Sequence, residues 1–136
     1  RGNREINGGD DSMQLELYPS ATPADKTDAK AMLRRYRKNK AIVTEFERSG
    51  TDKLARDQEI VYNTALREVT DIERAVRLIL DPEIRDMIEH KYINGRDRRR
   101  HKDTLNRFSV WDQSTVGRKL DEGIESIAES IKLFNC

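Results

Sequence analysis

Apolar residues return every three or four positions through several long segments of this chain, and this spacing constrains the fold more than any other feature. The period matches the 3.6-residue turn of an α-helix, so each segment presents one apolar and one charged face. The C-terminal segment shows it best, with an apolar face made of Val116, Leu120, Ile124, Ile127, Ala128, Ile131 and Phe134. We therefore expect an all-α protein.

Helix start and stop signals divide the pattern into five helices. Ser49-Gly50 ends the first helix, Asp81-Pro82 ends the second and caps the third, and Asn94-Gly95 ends the third. The helices are expected at about 22 or 25 to 48, from 51 or 52 to the stop at 81, 82 to 93, 99 to 108, and 113 to 134. The apolar stripe of the second helix fits either core packing or the seam of an oligomer, and we favour core packing.

Length and composition indicate one domain, or one domain with an arm. The chain has 136 residues, of which 38% are charged and 35% hydrophobic, so it can bury only the thin core of a small helical bundle. Residues 1–25 are rich in glycine, proline and aspartate and read as a flexible N-terminal arm. Residues 26–80 read as an N-terminal helical pair, and residues 81–136 as a DNA-binding region.

Several function classes are disfavoured by what the sequence lacks. Cys136 is the single cysteine, and His90 and His101, the two histidines, read as surface residues, so no metal set or cofactor is expected. No apolar run is long enough for a membrane span, and no apolar signal segment opens the chain. We expect a cytoplasmic protein. No nucleophile–base pair or phosphate loop indicates an enzyme.

The C-terminal third has the pattern of a helix-turn-helix: a short helix, a tight turn and a long capped helix. The short helix needs apolar anchors to brace the long one, and Leu105 and Phe108 would supply them. Asp112 would cap the long helix. The opening turn of that helix is polar, and Gln113 and Ser114 are side chains suited to base edges in a DNA major groove.

Two groups of residues are therefore expected to contact DNA. The first lies on the last helix and comprises Gln113, Ser114, Thr115, Gly117, Arg118 and Lys119. The second would hold phosphates from the basic run before it and comprises Arg96, Arg98, Arg99, Arg100 and Lys102. Gly117 costs about 1 kcal/mol inside a helix, and a close approach of DNA or of another helix would justify it.

Two stretches resemble known regulators. Leu80 to Gly95, LDPEIRDMIEHKYING, resembles the helix before the helix-turn-helix in region 4 of sigma factors. Asp112 to Ala128 resembles the recognition helix there, with Ser114-Thr115-Val116 at the matching place. The order of pieces is similar to the ArpU/RinA family of phage late-gene transcription regulators, whose N-terminal helix carries a motif like Tyr36-Arg37-Lys38-Asn39-Lys40.

The resemblance implies binding of double-stranded DNA at a phage promoter, activation of transcription and RNA polymerase as a partner. One recognition helix reads only a few base pairs, so a homodimer or the polymerase would have to add specificity. The alternative is a helical protein–protein adaptor that does not bind DNA.

Overall fold

The computed structural model describes residues 19–94 and 100–135, and this part of the chain is all-α. It contains five helices and no strand, which confirms the expected fold class for these residues. The helices are α1 (Pro23–Ser49), α2 (Arg56–Arg77), α3 (Pro82–Ile88), α4 (His101–Arg107) and α5 (Gln113–Phe134). A single π-helical turn, Glu89–Ile93, continues α3. Residues 1–18, most of the expected arm, lie outside the described residues.

A capping box fixes the start of α1. The Thr22 hydroxyl accepts a hydrogen bond from the Asp25 backbone N–H at 3.1 Å, and the Asp25 carboxylate accepts one from the Thr22 backbone N–H at 2.9 Å. Residues 23–25 therefore belong to the helix, and the expected boundary of the arm at residue 25 was three residues too late.

α1 and α2 form an antiparallel pair joined by residues 50–55. The guanidinium of Arg35 donates twice to the carboxylate of Glu68, and the hydroxyl of Tyr62 donates to Glu47 at 2.9 Å. The later position in α1 thus contacts the earlier position in α2, as expected for antiparallel helices. α2 begins at Arg56, later than expected, because the Gln58 side chain accepts from the backbone N–H of Ala55 and thereby caps the helix there.

The core draws on α1, α2, α3 and α5. Its fully buried large apolar side chains are Leu33, Ile72, Met87, Ile88, Val116 and Ile127. The stripe of α2 lies in this core from Ala65 to Val76, so core packing holds there, whereas Ile60 and Val61 stay exposed. α5 packs against α1, α2 and α3, and the chain's apolar residues form one cluster across the expected boundary at residue 80.

The crossing of α3 and α5 depends on Gly123. A Cβ atom at this position would lie 2.7 Å from Cγ1 of Ile88 and 3.0 Å from Cγ2 of Ile84. Because Ile88 is fully buried, its side chain has no free space into which it can move. Gly123 therefore sets how closely the two helices approach, a role that the sequence pattern did not indicate.

Arg37 ties α1 to the end of the π-helical turn. The Asn94 backbone N–H reaches back to the carbonyl of Glu89 at 2.7 Å, and the Arg37 guanidinium donates to the carbonyls of Lys91 at 3.1 Å and Asn94 at 2.7 Å. These carbonyls lie at a helix end, where the backbone offers them no helical donor. The neighbouring Tyr36 hydroxyl donates to Glu73 at 2.7 Å, so the first two residues of the Tyr-Arg motif hold the fold together.

Alanine substitution of the two interior glycines of α5 should change the stability of the protein in opposite directions. We expect Gly123→Ala to destabilise the protein by about 1–3 kcal/mol, because the new methyl group overpacks the crossing. We expect Gly117→Ala to stabilise it by up to about 1 kcal/mol, because a Cβ there meets no atom within 4 Å and alanine favours helix. Urea unfolding of both variants measures the difference, and equal effects would contradict the close crossing.

Candidate nucleic-acid interface

A short connection and a side-chain cap position the start of α5. The backbone N–H of Trp111 donates to the carbonyl of Phe108 at 3.0 Å, which closes the turn after α4. The Asp112 carboxylate then accepts from the backbone N–H of Thr115 at 2.7 Å and from the Ser114 hydroxyl at 3.0 Å. These hydrogen bonds, led by that of the Thr115 backbone, lower the pKa of Asp112. The expected cap is confirmed.

The opening turn of α5 faces outward. Gln113, Ser114 and Arg118 are exposed, and Thr115 and Gly117 are partly exposed. On the opposite side of the same turns Val116 is fully buried, so the polar residues are held on a helix whose other face is anchored in the core. A helix fixed in this way presents its exposed side chains in a constant orientation.

The two basic side chains of this turn differ in their surroundings. Arg118 is exposed and pairs with Glu122 one helical turn later, at 2.6 Å. The Lys119 ammonium lies over the Trp111 ring at 4.7 Å and 3.9 Å from Glu83, and its side chain is only 13% exposed. Lys119 thus holds the connection against α5, and Arg118 is the better placed of the two for a phosphate.

Gly117 lies on open surface. A Cβ atom there would meet nothing within 4 Å, so none of the described helices approaches it closely. Of the two reasons considered for this glycine, a neighbouring helix is excluded within the described residues. The close approach of an external partner is the reason for this glycine that is left.

The basic run before α5 is only partly described. Arg96, Arg98 and Arg99 lie outside the described residues, whereas Arg100 and Lys102 are exposed. Helix α4 starts at His101, since the Asp103 carboxylate accepts from the Arg100 backbone N–H at 3.1 Å.

α4 packs mainly against the π-helical turn, which corrects the expectation that it braces α5. Thr104 is fully buried, and its hydroxyl lies 3.2 Å from Nδ1 of His90. The Phe108 ring meets the His90 ring edge to face, with centroids 5.8 Å apart. His90, read as a surface residue, is half-buried in this contact, while Leu105 is only partly buried against the core.

A cleft of about 460 Å³ lies between α1, the π-helical turn and the start of α4. We call it the cationic cleft, and it is lined by Leu33, Arg34, Arg37, Lys91, Tyr92, Arg100 and His101. The Lys91 ammonium lies 3.0 Å from Nδ1 of His101. Sequence reasoning identified the basic run that includes Arg100. It missed that Arg100 lines one cleft with Lys91 and the arginines of α1, because contacts across three elements leave no local pattern.

Among the described residues no group of histidine, cysteine, aspartate or glutamate could hold a metal ion, and no described helix is both long and apolar enough to cross a bilayer. Comparison with known proteins finds no match for this chain among family models, curated proteins or solved structures.

The Asp112 cap predicts a pH-dependent stability. Its pKa in the folded protein lies below the ordinary 3.8, so its contribution is complete above 3.8 and is lost as the pH falls through the lower folded value. Asp112→Asn keeps an oxygen acceptor but does not titrate. We expect thermal melting of this variant to change less than that of the wild type below pH 4. Parallel melting curves for the two proteins would show that the carboxylate charge is not involved.

Proposed function

We propose that this protein is a sequence-specific regulator that binds double-stranded DNA through the opening turn of α5. The observation that carries the proposal is the outward position of Gln113 and Ser114 on a long helix whose opposite face is buried. Such a turn fits the major groove of B-form DNA, which is wide enough to admit an α-helix. α4, the connection and α5 would then act as a helix-turn-helix.

Each exposed group of the turn has a distinct task in this proposal. The amide of Gln113 can both donate to and accept from an adenine edge, and the Ser114 hydroxyl can pair with either kind of group. Gly117 lets the backbone approach DNA closely because no side chain intervenes. Arg118 would exchange the carboxylate of Glu122 for a phosphate, and the exposed pair resists this little.

Arg100 and Lys102 would supply phosphate contacts together with Arg96, Arg98 and Arg99. Within the described residues neither Arg100 nor Lys102 forms an ion pair, so both are available for an external anion. Phosphate contacts supply affinity that depends steeply on salt, and base contacts supply the sequence preference. The resemblance to ArpU/RinA regulators supports a phage late promoter as the target and cytoplasmic activation through RNA polymerase, with a homodimer as one source of added specificity.

The adaptor alternative has weaker support. An adaptor would need an apolar helix face open to a partner, and most residues in the apolar stripes of α1, α2 and α5 are buried in the chain's own core. Among the described residues the most exposed large apolar side chains are Leu80, at 92%, and Val110, at 88%, and both lie in connections rather than along a helix face. A protein that binds no duplex even at low salt would favour the adaptor.

Base and phosphate contacts should respond differently to substitution. With a duplex selected from a random pool, we expect Gln113→Ala to reduce discrimination against a changed base pair by about 1–3 kcal/mol. Arg100→Ala and Lys102→Ala should weaken all duplexes alike and reduce the slope of log affinity against log salt by about 0.9 each. Lys53→Ala, which removes a charge from the α1–α2 connection, serves as the control. Unchanged discrimination in Gln113→Ala, Ser114→Ala and Arg118→Ala would remove α5 from the role.

Gly117→Ala separates binding from stability. The variant should unfold at a higher urea concentration than the wild type yet bind the selected duplex more weakly, since its methyl group occupies the open surface facing DNA. Fluorescence anisotropy with the same duplex measures the affinity. A variant that is more stable and binds as tightly as the wild type would show that the backbone does not approach DNA at this position.

A further inference from the structure

The cationic cleft concentrates positive charge. Of the described residues that line it, none is acidic and four are arginine or lysine. Lys30 stands near it: burial lowers the pKa of both Lys91 and His101, and the positive charge of Lys30 lowers both further. Within the described residues neither Lys30 nor Arg34 forms an ion pair.

Three basic residues of α1 that do not line the cleft form ion pairs. Lys26 pairs with Asp121 at 3.0 Å, Arg35 with Glu68 at 3.0 Å and Lys40 with Glu73 at 2.9 Å. Carboxylates of α2 and α5 thus neutralise three basic residues of α1 that do not line the cleft, whereas Lys30 and Arg34 have no such partner among the described residues. Like charges held together without a counter-charge destabilise each other, and an anion placed among them reverses the sign of that interaction.

The cleft also provides directed hydrogen-bond donors. Since the Lys91 ammonium is a donor only, its 3.0 Å contact makes Nδ1 of His101 an acceptor and leaves the ring proton on Nε2. Burial, followed by the charges of Lys91 and Lys30, lowers the pKa of His101 and favours this neutral form. Tyr92 also lines the cleft. Arg37, held by backbone carbonyls, fixes one wall in place.

We propose that the cationic cleft binds a phosphate group. Guanidinium and ammonium donors that converge from separate elements suit the several oxygens of a phosphate better than the two of a single carboxylate. The volume exceeds that of the anion alone and leaves room for part of an attached group. The phosphate can come from a DNA backbone or from a small phosphorylated solute. The inference does not depend on base contacts by α5.

The test uses the full chain and inorganic pyrophosphate at constant ionic strength. Calorimetry measures affinity, and NMR follows the ring resonances of His101. The wild type should bind one pyrophosphate, shift the His101 resonances and gain melting temperature on binding. Arg34→Gln and Lys91→Met should each weaken binding by roughly tenfold, the loss expected for one charge-assisted hydrogen bond.

Arg35→Gln is the matched control, because Arg35 adjoins Arg34 on the same helix but pairs with Glu68 outside the cleft. Lys91→Met and Arg34→Gln each remove a like charge, so both should melt no lower than the wild type without ligand. A cleft that pyrophosphate does not occupy, or an equal loss of affinity in Arg35→Gln, would overturn the proposal.

Duplex DNA distinguishes the two sources. If the DNA backbone supplies the phosphate, the duplex should displace pyrophosphate and both cleft variants should bind DNA more weakly. If a small solute supplies it, pyrophosphate should bind in the presence of DNA and the variants should bind DNA like the wild type. Either pattern supports a phosphate site, while the absence of any shift at His101 with pyrophosphate contradicts it.

Discussion

The burial of one face of α5 is the interaction on which the rest of this structure depends. That face contacts three other helices, and its crossing with α3 at Gly123 leaves no room for a methyl group. The buried face fixes the orientation of the opposite face. Gln113 and Ser114 are therefore held outward by apolar packing on the other side of the helix, and a binding surface needs no further support there.

Polar contacts then determine how the shorter elements attach to this scaffold. Arg37 binds the carbonyls at the end of the π-helical turn, His90 contacts the Thr104 hydroxyl of α4, and the Lys119 ammonium lies over the Trp111 ring in the connection. Each of these three contacts is made by a charged or polar side chain and not by an apolar one. With 38% charged residues, the chain has too few apolar side chains to attach every element by burial alone.

The sequence predicted the helices well because their signals are local. The apolar period of α5, the Asp112 cap and the Pro82 start were all correct. The start of α2 was expected too early, because its cap position is Ala55, a residue type that does not signal a helix start. The missed features are contacts between distant positions. Gly123 differs from Gly117 only in what lies opposite, and the cationic cleft joins residues from three elements, so neither can be read from spacing along the chain.

The hold of Arg37 on Lys91 and Asn94 has a mechanical consequence. The Arg37 side chain connects the first helix to the end of the π-helical turn, in addition to the packing between these two elements. A small rotation of α1 about its axis would therefore carry Lys91, and with it His101 and the start of α4, in the same direction. The walls of the cleft would then shift together, so a movement of α1 would also change the placement of α4.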